Sequence, residues 1–265
     1  MYSSFQLSFK YLNYYLTAAS GKGHGIHSPF VFEFVTKVLN NRTRYDDYQK
    51  AEQIRSLCRG DNTVLDVEDY GAGSRYSTAA HRSVSSIVKR AVKSKKYAQL
   101  LYRMVRYYRA GTIIELGTSL GITTSYLAMA SPKGNVLTLE GSRQIAKIAL
   151  QNFKQLNLEN IRLIEGNFDY TLPASVYYLS TVDLAFIDGN HRRDPTLQYF
   201  QCLLAKRNSD SIFIFDDIHW SREMEQAWQQ ISQHPAVRCT IDLFFIGIVF
   251  FRQEFKEKQH FSIRF

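Results

Sequence analysis

The sequence predicts an α/β fold: a doubly wound sheet of seven strands with an antiparallel last strand, preceded by an N-terminal helical cap. Three observations support this prediction. From Gly111 onward, short apolar runs rich in β-branched residues alternate with helical stretches, which is typical of parallel strands buried on both faces. The first run leads into a glycine-bearing loop. Later, two strand-like runs meet around Gly247 without room for a helix, which predicts an antiparallel hairpin.

Five runs carry the strand pattern, and helical stretches separate them. Between the second and third runs, apolar residues recur at helical spacing over 145–156, with Ser142 placed to cap the helix. Alternating strands and helices imply right-handed crossovers and hence a parallel sheet. The five runs are "TIIEL" (112–116), "NVLTL" (135–139), "IRLI" (161–164), "VDLAFI" (182–187) and "SIFIF" (211–215).

The charge distribution predicts an organisational boundary near Ala110-Gly111. The net charge is +9, but residues 1–110 hold 18 basic and 8 acidic side chains, whereas residues 111–265 hold 15 and 16. We therefore expect a basic N-terminal cap or lid region over 1–110 and a cofactor-binding domain over 111–265. Residues 75–109 contain ten Lys or Arg and no acid. This stretch is either a solvated helix face or a patch for phosphate, an acidic carrier protein or RNA.

The N-terminal region itself gives weaker signals. "KYLNYYLTA" and "PFVFEFVTKVLNN" are expected to be helices, joined by the loop "ASGKGHGIHS". His24 and His27 in this loop are candidates for a metal or substrate contact, although an ordinary loop explains them better.

The chain gives no sign of export or of a membrane span. No apolar run approaches the roughly 20 residues that a bilayer requires, and the first residues lack the pattern of a signal peptide. The three cysteines, Cys58, Cys202 and Cys239, are far apart, which fits a reducing compartment. We expect a cytoplasmic protein.

Two stretches have the composition of a glycine-rich ligand loop: "DYGAGSRYS" (69–77) and "IIELGTSLGITTSYLA" (113–128). Such a loop works when a strand precedes it and a helix follows it, because the helix N-terminus then faces the ligand. Only the second stretch has both neighbours. It is also followed by a strand that ends in Glu140, where a carboxylate can accept hydrogen bonds from ribose hydroxyls. The second loop is therefore predicted to bind the cofactor, and the first to be a lid or a plain connecting turn.

The second loop departs from the dinucleotide fingerprint, because its glycines are Gly117 and Gly121 and Glu115 precedes them. An acid there suits a cationic ligand better than a pyrophosphate. Over residues 111–252 the chain resembles the class I S-adenosylmethionine-dependent methyltransferases, in particular a bacterial group within the small-molecule O-methyltransferase branch, which implies a Rossmann-like fold. The motifs that carry the resemblance are "ELGTSLG" (115–121), "LEG" (139–141), "EGNF" (165–168), "FIDGNH" (186–191) and "FDDIHW" (215–220).

The resemblance implies a set of cofactor contacts. The residues after the first strand would hold the methionine part of the cofactor. The acid after the second strand would bind the ribose, and the residues after the third strand would border the adenine. An ordinary role as strand-end acids is the alternative for Glu115 and Glu140. The implied cofactor-binding residues are Glu115, Gly117, Thr118, Ser119, Gly121, Glu140, Gly141, Asn167, Phe168 and Asp188.

The resemblance also implies a catalytic centre. O-methyltransferases of this branch often hold a divalent metal after the fourth and fifth strands, where this chain has Asp188, Asp216 and Asp217. Carboxylates suit Mg²⁺ or Ca²⁺; the alternative is that these aspartates only cap loops. Asp188 and His191 are the catalytic candidates, His191 as a general base. His219 is a weaker candidate for the base.

Several functions stay open at this level. The resemblance favours methyl transfer to an oxygen of a small molecule. The alternatives are an RNA methyltransferase that uses the basic region, and a cofactor-binding protein without turnover. No N/D-P-P-Y/F motif follows the fourth strand, which carries "DGNH" instead, so nucleic acid is not the favoured partner. No membrane partner is expected, and a dimer is compatible with the sequence.

Overall fold

The computed structural model describes residues 1–67 and 81–265. The chain forms two compact units, one of residues 1–41 with 178–265 and the other of residues 42–177. Their limits do not follow the charge break, so the functional division at residues 110 and 111 stays a prediction. Among the described residues, no helix combines the length and apolar character that crossing a bilayer requires.

The helices and strands follow one another in the predicted alternation from residue 112 onward. A π-helix, Phe34–Leu39, continues α2. The helices are α1 (Ser4–Thr17), α2 (Pro29–Glu33), α3 (Asp46–Gly60), α4 (Val84–Arg90), α5 (Lys95–Tyr108), α6 (Ile122–Ala130), α7 (Arg143–Gln155), α8 (Phe168–Tyr177), α9 (Arg193–Leu204) and α10 (Arg222–Gln233). The strands are β1 (Val64–Asp66), β2 (His81–Ser83), β3 (Thr112–Leu116), β4 (Asn135–Glu140), β5 (Ile161–Glu165), β6 (Val182–Ile187), β7 (Arg207–Asp216), β8 (Cys239–Asp242), β9 (Ile246–Phe250) and β10 (Gln259–Ser262).

In the unit of residues 42–177, β3 pairs with β4 and β4 with β5, all in parallel. The helix after β3, α6, is buried at every residue. The helix after β4, α7, is amphipathic and buries Ile145, Ala149 and Phe153 as the spacing predicts. Ser142 occupies the N-cap position of α7 but makes no capping hydrogen bond. The parallel order brings the loops after β3 and β4 to the same end of these strands.

A separate two-stranded sheet was not predicted. β1 pairs antiparallel with β2, with Leu65 opposite Arg82. The "DYGAGSRYS" stretch falls between these two strands and lies outside the described residues. Its predicted role as a lid stays a prediction.

In the unit of residues 1–41 and 178–265, β6 and β7 are parallel, and β9 pairs antiparallel with both β7 and β8. The predicted hairpin is therefore confirmed, but its turn lies at 243–245, where Phe244 has a φ of 67°. Gly247 lies inside β9. A Cβ atom there would come within 2.6 Å of the Trp228 ring, so the glycine serves close packing rather than the turn.

The prediction of a mostly parallel α/β sheet is confirmed, but the count of seven strands is wrong, because the large sheet has eight among the described residues. The additional strand, β10, pairs in parallel with β8. Its sequence, "QHFS", is short and mostly polar, so it lacks the apolar pattern by which a strand is recognised. The N-terminal helices are also present, with α1 covering "KYLNYYLT" and α2 beginning at Pro29.

Candidate functional site

The loop between β3 and α6 is built around two glycines with left-handed backbone. Gly117 has a φ of 98° and Gly121 a φ of 76°, values that side chains rarely tolerate. The amides of Gly117 and Thr118 both donate to the carbonyl of Leu139, at 3.0 and 3.1 Å. Gly121 is the N-cap of α6, and a Cβ atom on it would lie 2.4 Å from the Phe153 ring. The loop is thus held against both β4 and α7.

Glu115 is fully buried at the end of β3. Its Oε2 accepts hydrogen bonds from Thr124 and Thr138, at 2.5 and 2.7 Å, whereas its Oε1 is buried without a hydrogen-bond partner. Burial raises the pKa of this carboxyl to about 7, and the nearby charge of Glu140 adds to the rise. A buried acceptor without a donor is costly. Glu115 is therefore suited to receive a hydrogen-bond donor from a ligand.

The raised pKa of Glu115 makes protein stability depend on pH. Unfolding restores the ordinary pKa of 4.5. The unfolded chain therefore ionises first as the pH rises, and the free energy of unfolding should fall between pH 4.5 and about 7, by about 3 kcal/mol. We expect Glu115→Gln to remove this contribution in urea unfolding measured across that range. Glu159→Gln, at an exposed position, is the matched control; an unchanged pH profile in Glu115→Gln would contradict the prediction.

Glu140 ends β4 and faces the same loop. Its Oε2 accepts from the Ser119 amide at 2.8 Å and its Oε1 from the Ser142 amide at 2.9 Å. The hydroxyl oxygens of Ser119 and Ser142 are buried without hydrogen-bond partners. Ser119 has a φ of 48°, and strained backbone of this kind is frequent at binding sites. Gly141, predicted to contact the cofactor, directly follows this carboxylate.

The remaining predicted contacts of this unit lie after β5. Asn167 precedes α8, and its Oδ1 accepts from the Asp169 amide at 2.9 Å. Phe168 is the first residue of α8 and is half-buried. The unit of residues 42–177 thus contains Glu115, the glycine loop, Glu140 and this pair, each at or directly after the end of one of three adjacent parallel strands.

A second group of polar side chains lies in the other unit, after β6 and at the end of β7. Asp188, His191 and Asp216 each offer one ligand atom, and these three atoms lie within 4.8 Å of one another. His191 Nε2 is 3.6 Å from Asp188 Oδ1. Asp216 is 2% exposed. Among the described residues, this is the group that could hold a metal ion, and Asp217, which the sequence suggested as a ligand, does not belong to it.

The backbone around this group is strained. Asn190, His191 and Asp217 have φ values of 69°, 48° and 52°, in the left-handed region that is uncommon for residues with a side chain. The Asp217 amide donates to the carbonyl of Phe245 at 2.7 Å, and the Oδ1 of Asn190 is buried without a hydrogen-bond partner. Strain that clusters beside polar groups points to a functional role.

His219 belongs to a different network. Its Nε2 and Nδ1 lie 2.8 and 3.1 Å from carboxylate oxygens of Asp242 and Glu225, and its ring stacks on Phe244. Burial alone would lower the pKa of His219, but the hydrogen bonds and charges of the two carboxylates raise it. Because both ring nitrogens are engaged, the arrangement indicates a structural role and does not favour His219 as a base.

Both groups of polar side chains lie in a segment that is similar to a known protein family. Residues 114–218 match a family described as "Methyltransferase domain". Residues 114–218 are thus similar to a methyltransferase domain, and this segment is called the methyltransferase domain below. The match begins beside Glu115 and ends just after Asp217, so the methyltransferase domain includes both groups of polar side chains described above. It confirms the resemblance drawn from the sequence motifs.

Two curated proteins resemble parts of the chain. A catechol O-methyltransferase of Niastella koreensis is 30% identical over 126 residues, which are 46% of this chain and 55% of that protein. A tRNA (guanine-N(7)-)-methyltransferase of Mycoplasma mobile is 39% identical over 77 residues, which are 29% of this chain and 38% of that protein. The chain thus spans less than two thirds of the length of these relatives.

The chain is also similar to a solved structure in its fold. The O-methyltransferase TomG from Streptomyces achromogenes, in complex with S-adenosylmethionine, matches with a TM-score of 0.57 at 16% identity, over 84% of this chain and 95% of that one. At this identity the comparison shows a shared fold. The Rossmann-like architecture expected from the motifs is therefore confirmed.

Several residues of the methyltransferase domain were not foreseen from the sequence. Thr124 and Thr138 bind the carboxylate of Glu115, although they lie 9 and 23 residues away from it. The sequence indicates His191 as a base and does not indicate it as a metal ligand. Its spacing of three residues from Asp188 was the available signal, because that spacing allows both side chains to face one point.

Proposed function

We propose that the protein transfers a methyl group from S-adenosylmethionine to an oxygen of a small molecule. The buried carboxylate of Glu115 carries this proposal, because its Oε1 lacks a hydrogen-bond donor beside a left-handed glycine loop. A fully buried carboxylate with one oxygen that receives no hydrogen bond suits the cationic amino group at the methionine end of the cofactor. The methyltransferase family match over residues 114–218 supports the same assignment.

The other residues of the unit of residues 42–177 have matching roles in this proposal. Glu140, oriented by the amides of Ser119 and Ser142, accepts hydrogen bonds from the ribose hydroxyls. The backbone from Gly117 to Gly121 surrounds the methionine part, and the dipole of α6 adds partial positive charge at its N-terminus. Asn167 and Phe168 border the adenine.

Methyl transfer needs an oxygen nucleophile. A bond forms from the acceptor oxygen to the methyl carbon as the bond from that carbon to sulfur breaks, and the hydroxyl proton passes to a base. We assign this role to His191, since Asp188 lies 3.6 Å from its Nε2 and can stabilise the imidazolium. The dominant contributions of the chain are orientation and exclusion of water.

A divalent cation fits the group formed by Asp188, His191 and Asp216. Two carboxylates and one imidazole suit Mn²⁺, Zn²⁺ or Fe²⁺ better than the all-oxygen set expected from the sequence would. When bound, such an ion would lower the pKa of an acceptor hydroxyl. His191 then has two competing roles in the proposal, as a ligand or as a base, and these predict different responses to chelation.

Cofactor binding is tested by calorimetry with Glu140→Ala. S-adenosylmethionine should bind the wild type at micromolar affinity, and loss of the Glu140 carboxylate should weaken binding about 10- to 100-fold, as expected for lost charged hydrogen bonds. Glu165→Ala is the matched control, because Glu165 ends the neighbouring strand in register with Glu140, and it should change the affinity little. Preferential binding of NAD, or equal losses in the two variants, would refute the assignment.

The acceptor is identified with S-adenosylmethionine carrying a labelled methyl group, supplied with catechols, a small-molecule extract or tRNA. We expect label in a small molecule. The tRNA arm is included because of the similarity to the tRNA methyltransferase and the basic stretch 75–109. In that stretch Tyr97 and Tyr102 are buried and do not offer bases a stacking surface, whereas Tyr107 is 38% exposed. Label in tRNA alone would overturn the proposal; cofactor binding without any labelled product would indicate a binding protein.

A further inference from the structure

Helix α1 has an exposed apolar stripe, formed by Phe5, Phe9, Leu12 and Leu16. These side chains are 82%, 67%, 53% and 72% exposed, respectively. Their spacings of four, three and four residues place them on one face of the helix. Large apolar side chains are normal on a surface when they are scattered, but a continuous row of four along one helix indicates an interaction surface.

The opposite face of α1 fixes the orientation of the stripe. Tyr14 is buried, its hydroxyl donates to the carbonyl of Ile263, and its ring lies 5.3 Å from that of Phe244. Lys10 pairs with Glu225 at 2.9 Å, and the Tyr2 hydroxyl donates to the same carboxylate at 2.6 Å. Because these contacts hold one face of the helix, the apolar stripe points away from the residues that anchor α1.

The exposed area is large enough for a protein interface. At about 200 Å² per large side chain, the stripe exposes about 500 Å². Tyr15, which is three residues after Leu12 on the same helix and 50% exposed, brings this to about 600 Å². The largest apolar patch of a typical monomer covers ~300–600 Å², and a stable interface buries ~800 Å² on each partner. The area on α1 therefore approaches what one side of a dimer requires.

We propose that the apolar stripe of α1 is a self-complementary interface through which two copies of this chain form a dimer. The spacing of the stripe is that of the apolar seam between paired helices, where side chains of one helix fit between those of the other. A two-fold axis brings the same patch of both copies together, so the stripe of one copy supplies the apolar partner that the other lacks.

The charges on α1 favour a second copy over a lipid surface. A helix that lies on a bilayer usually has Lys and Arg beside its apolar face. The exposed polar residues of α1 are instead the uncharged Ser4, Gln6, Ser8, Asn13 and Thr17, and the single charged residue of the helix, Lys10, is paired with Glu225. The residues of α1 that flank the stripe are thus uncharged, so they neither attract anionic lipid nor repel an identical helix. Arg264 also contacts α1, where it lies over the Tyr15 ring.

Sedimentation equilibrium of the full chain across the micromolar range tests the proposal. The wild type should sediment at twice the chain mass of 30.7 kDa. Phe9→Glu with Leu12→Glu should raise the dissociation constant at least about 100-fold, because two charges would be buried in each half of the interface. Leu57→Glu with Leu150→Glu is the matched control, since it adds the same charge at exposed apolar positions of α3 and α7, and it should sediment as a dimer.

Thermal unfolding followed by circular dichroism shows whether the variants fold, and Phe9→Gln with Leu12→Gln replaces the charged pair if that pair unfolds. A monomeric wild type, or a stripe variant that remains dimeric, would overturn the proposal. Equal dissociation of the control would also overturn it. Flotation of the wild type with phosphatidylcholine vesicles as a monomer would overturn it too, because lipid would then cover the stripe.

Discussion

Gly121→Ala is expected to weaken S-adenosylmethionine binding at least about 100-fold and to lower the free energy of unfolding by about 2–4 kcal/mol. Two costs combine at this residue. Its φ of 76° strains any residue with a Cβ atom, and that atom would lie 2.4 Å from the Phe153 ring and 3.2 Å from Ala149. Phe153 is buried among other residues, so the overlap should push the loop away from α7 and displace the backbone that would surround the cofactor. Calorimetry and urea unfolding measure the two effects.

Gly25→Ala is the control that separates the cost of backbone strain from the cost of steric overlap. Gly25 has a φ of 79°, and no atom lies within 4 Å of the point where a Cβ atom would stand. Alanine there adds backbone strain without an overlap and should cost about 1 kcal/mol. Phe153→Leu combined with Gly121→Ala should recover part of the lost stability, because the ring atoms nearest to the new methyl group are removed. Wild-type cofactor affinity in Gly121→Ala would show that this loop does not bind the cofactor.

Asp216→Asn, Asp188→Asn and His191→Gln are each expected to abolish measurable Mn²⁺ binding and to reduce methyl transfer at least about 100-fold. The ligand atoms of these three residues lie within 4.8 Å of one another, so removal of any one leaves an incomplete site. Asp217→Asn is the matched control, because it is adjacent to Asp216 but outside the group. Calorimetric titration with Mn²⁺ distinguishes the variants without any methyl acceptor.

Chelation distinguishes the two roles of His191. If the group holds a metal that the reaction uses, a chelator should abolish activity and Mn²⁺ should restore it. If His191 acts as a metal-free base, activity should persist in chelator and fall as the pH drops through the histidine range. Loss of Mn²⁺ binding in Asp217→Asn, with retention in His191→Gln, would restore the set of three aspartates that the sequence suggested.

The strands of the methyltransferase domain could be predicted because each one is a short apolar run of β-branched residues. The runs at 112–116 and 182–187 coincide with β3 and β6. Periodicity could not reveal β10, whose four residues are held by pairing with β8. The hairpin turn was also placed wrongly, at Gly247 instead of 243–245. A glycine suggests a turn by its backbone freedom, whereas Gly247 is required by the position of Trp228, which only the folded chain defines.

The candidate site shows the same limit. Glu115 and Glu140 could be proposed because a strand-end acid beside a glycine loop is a local pattern. The partners of Glu115 could not, because Thr124 and Thr138 reach it only after α6 and β4 are in place. The carboxylates around His219 come from distant elements, one at the end of β8 and the other in α10. Such nonlocal contacts decide which histidine is available for chemistry.

The burial of Glu115 implies that its carboxyl group retains a proton near neutral pH. With a pKa of about 7, this carboxyl group is about half protonated at pH 7. A cationic ligand favours the ionised form, so its arrival should expel the stored proton, and protons and ligand then compete for one site. Acidification would therefore lower the apparent affinity for the ligand, as a competitive antagonist does. Unlike an antagonist, the proton would not occupy the space in which the ligand binds.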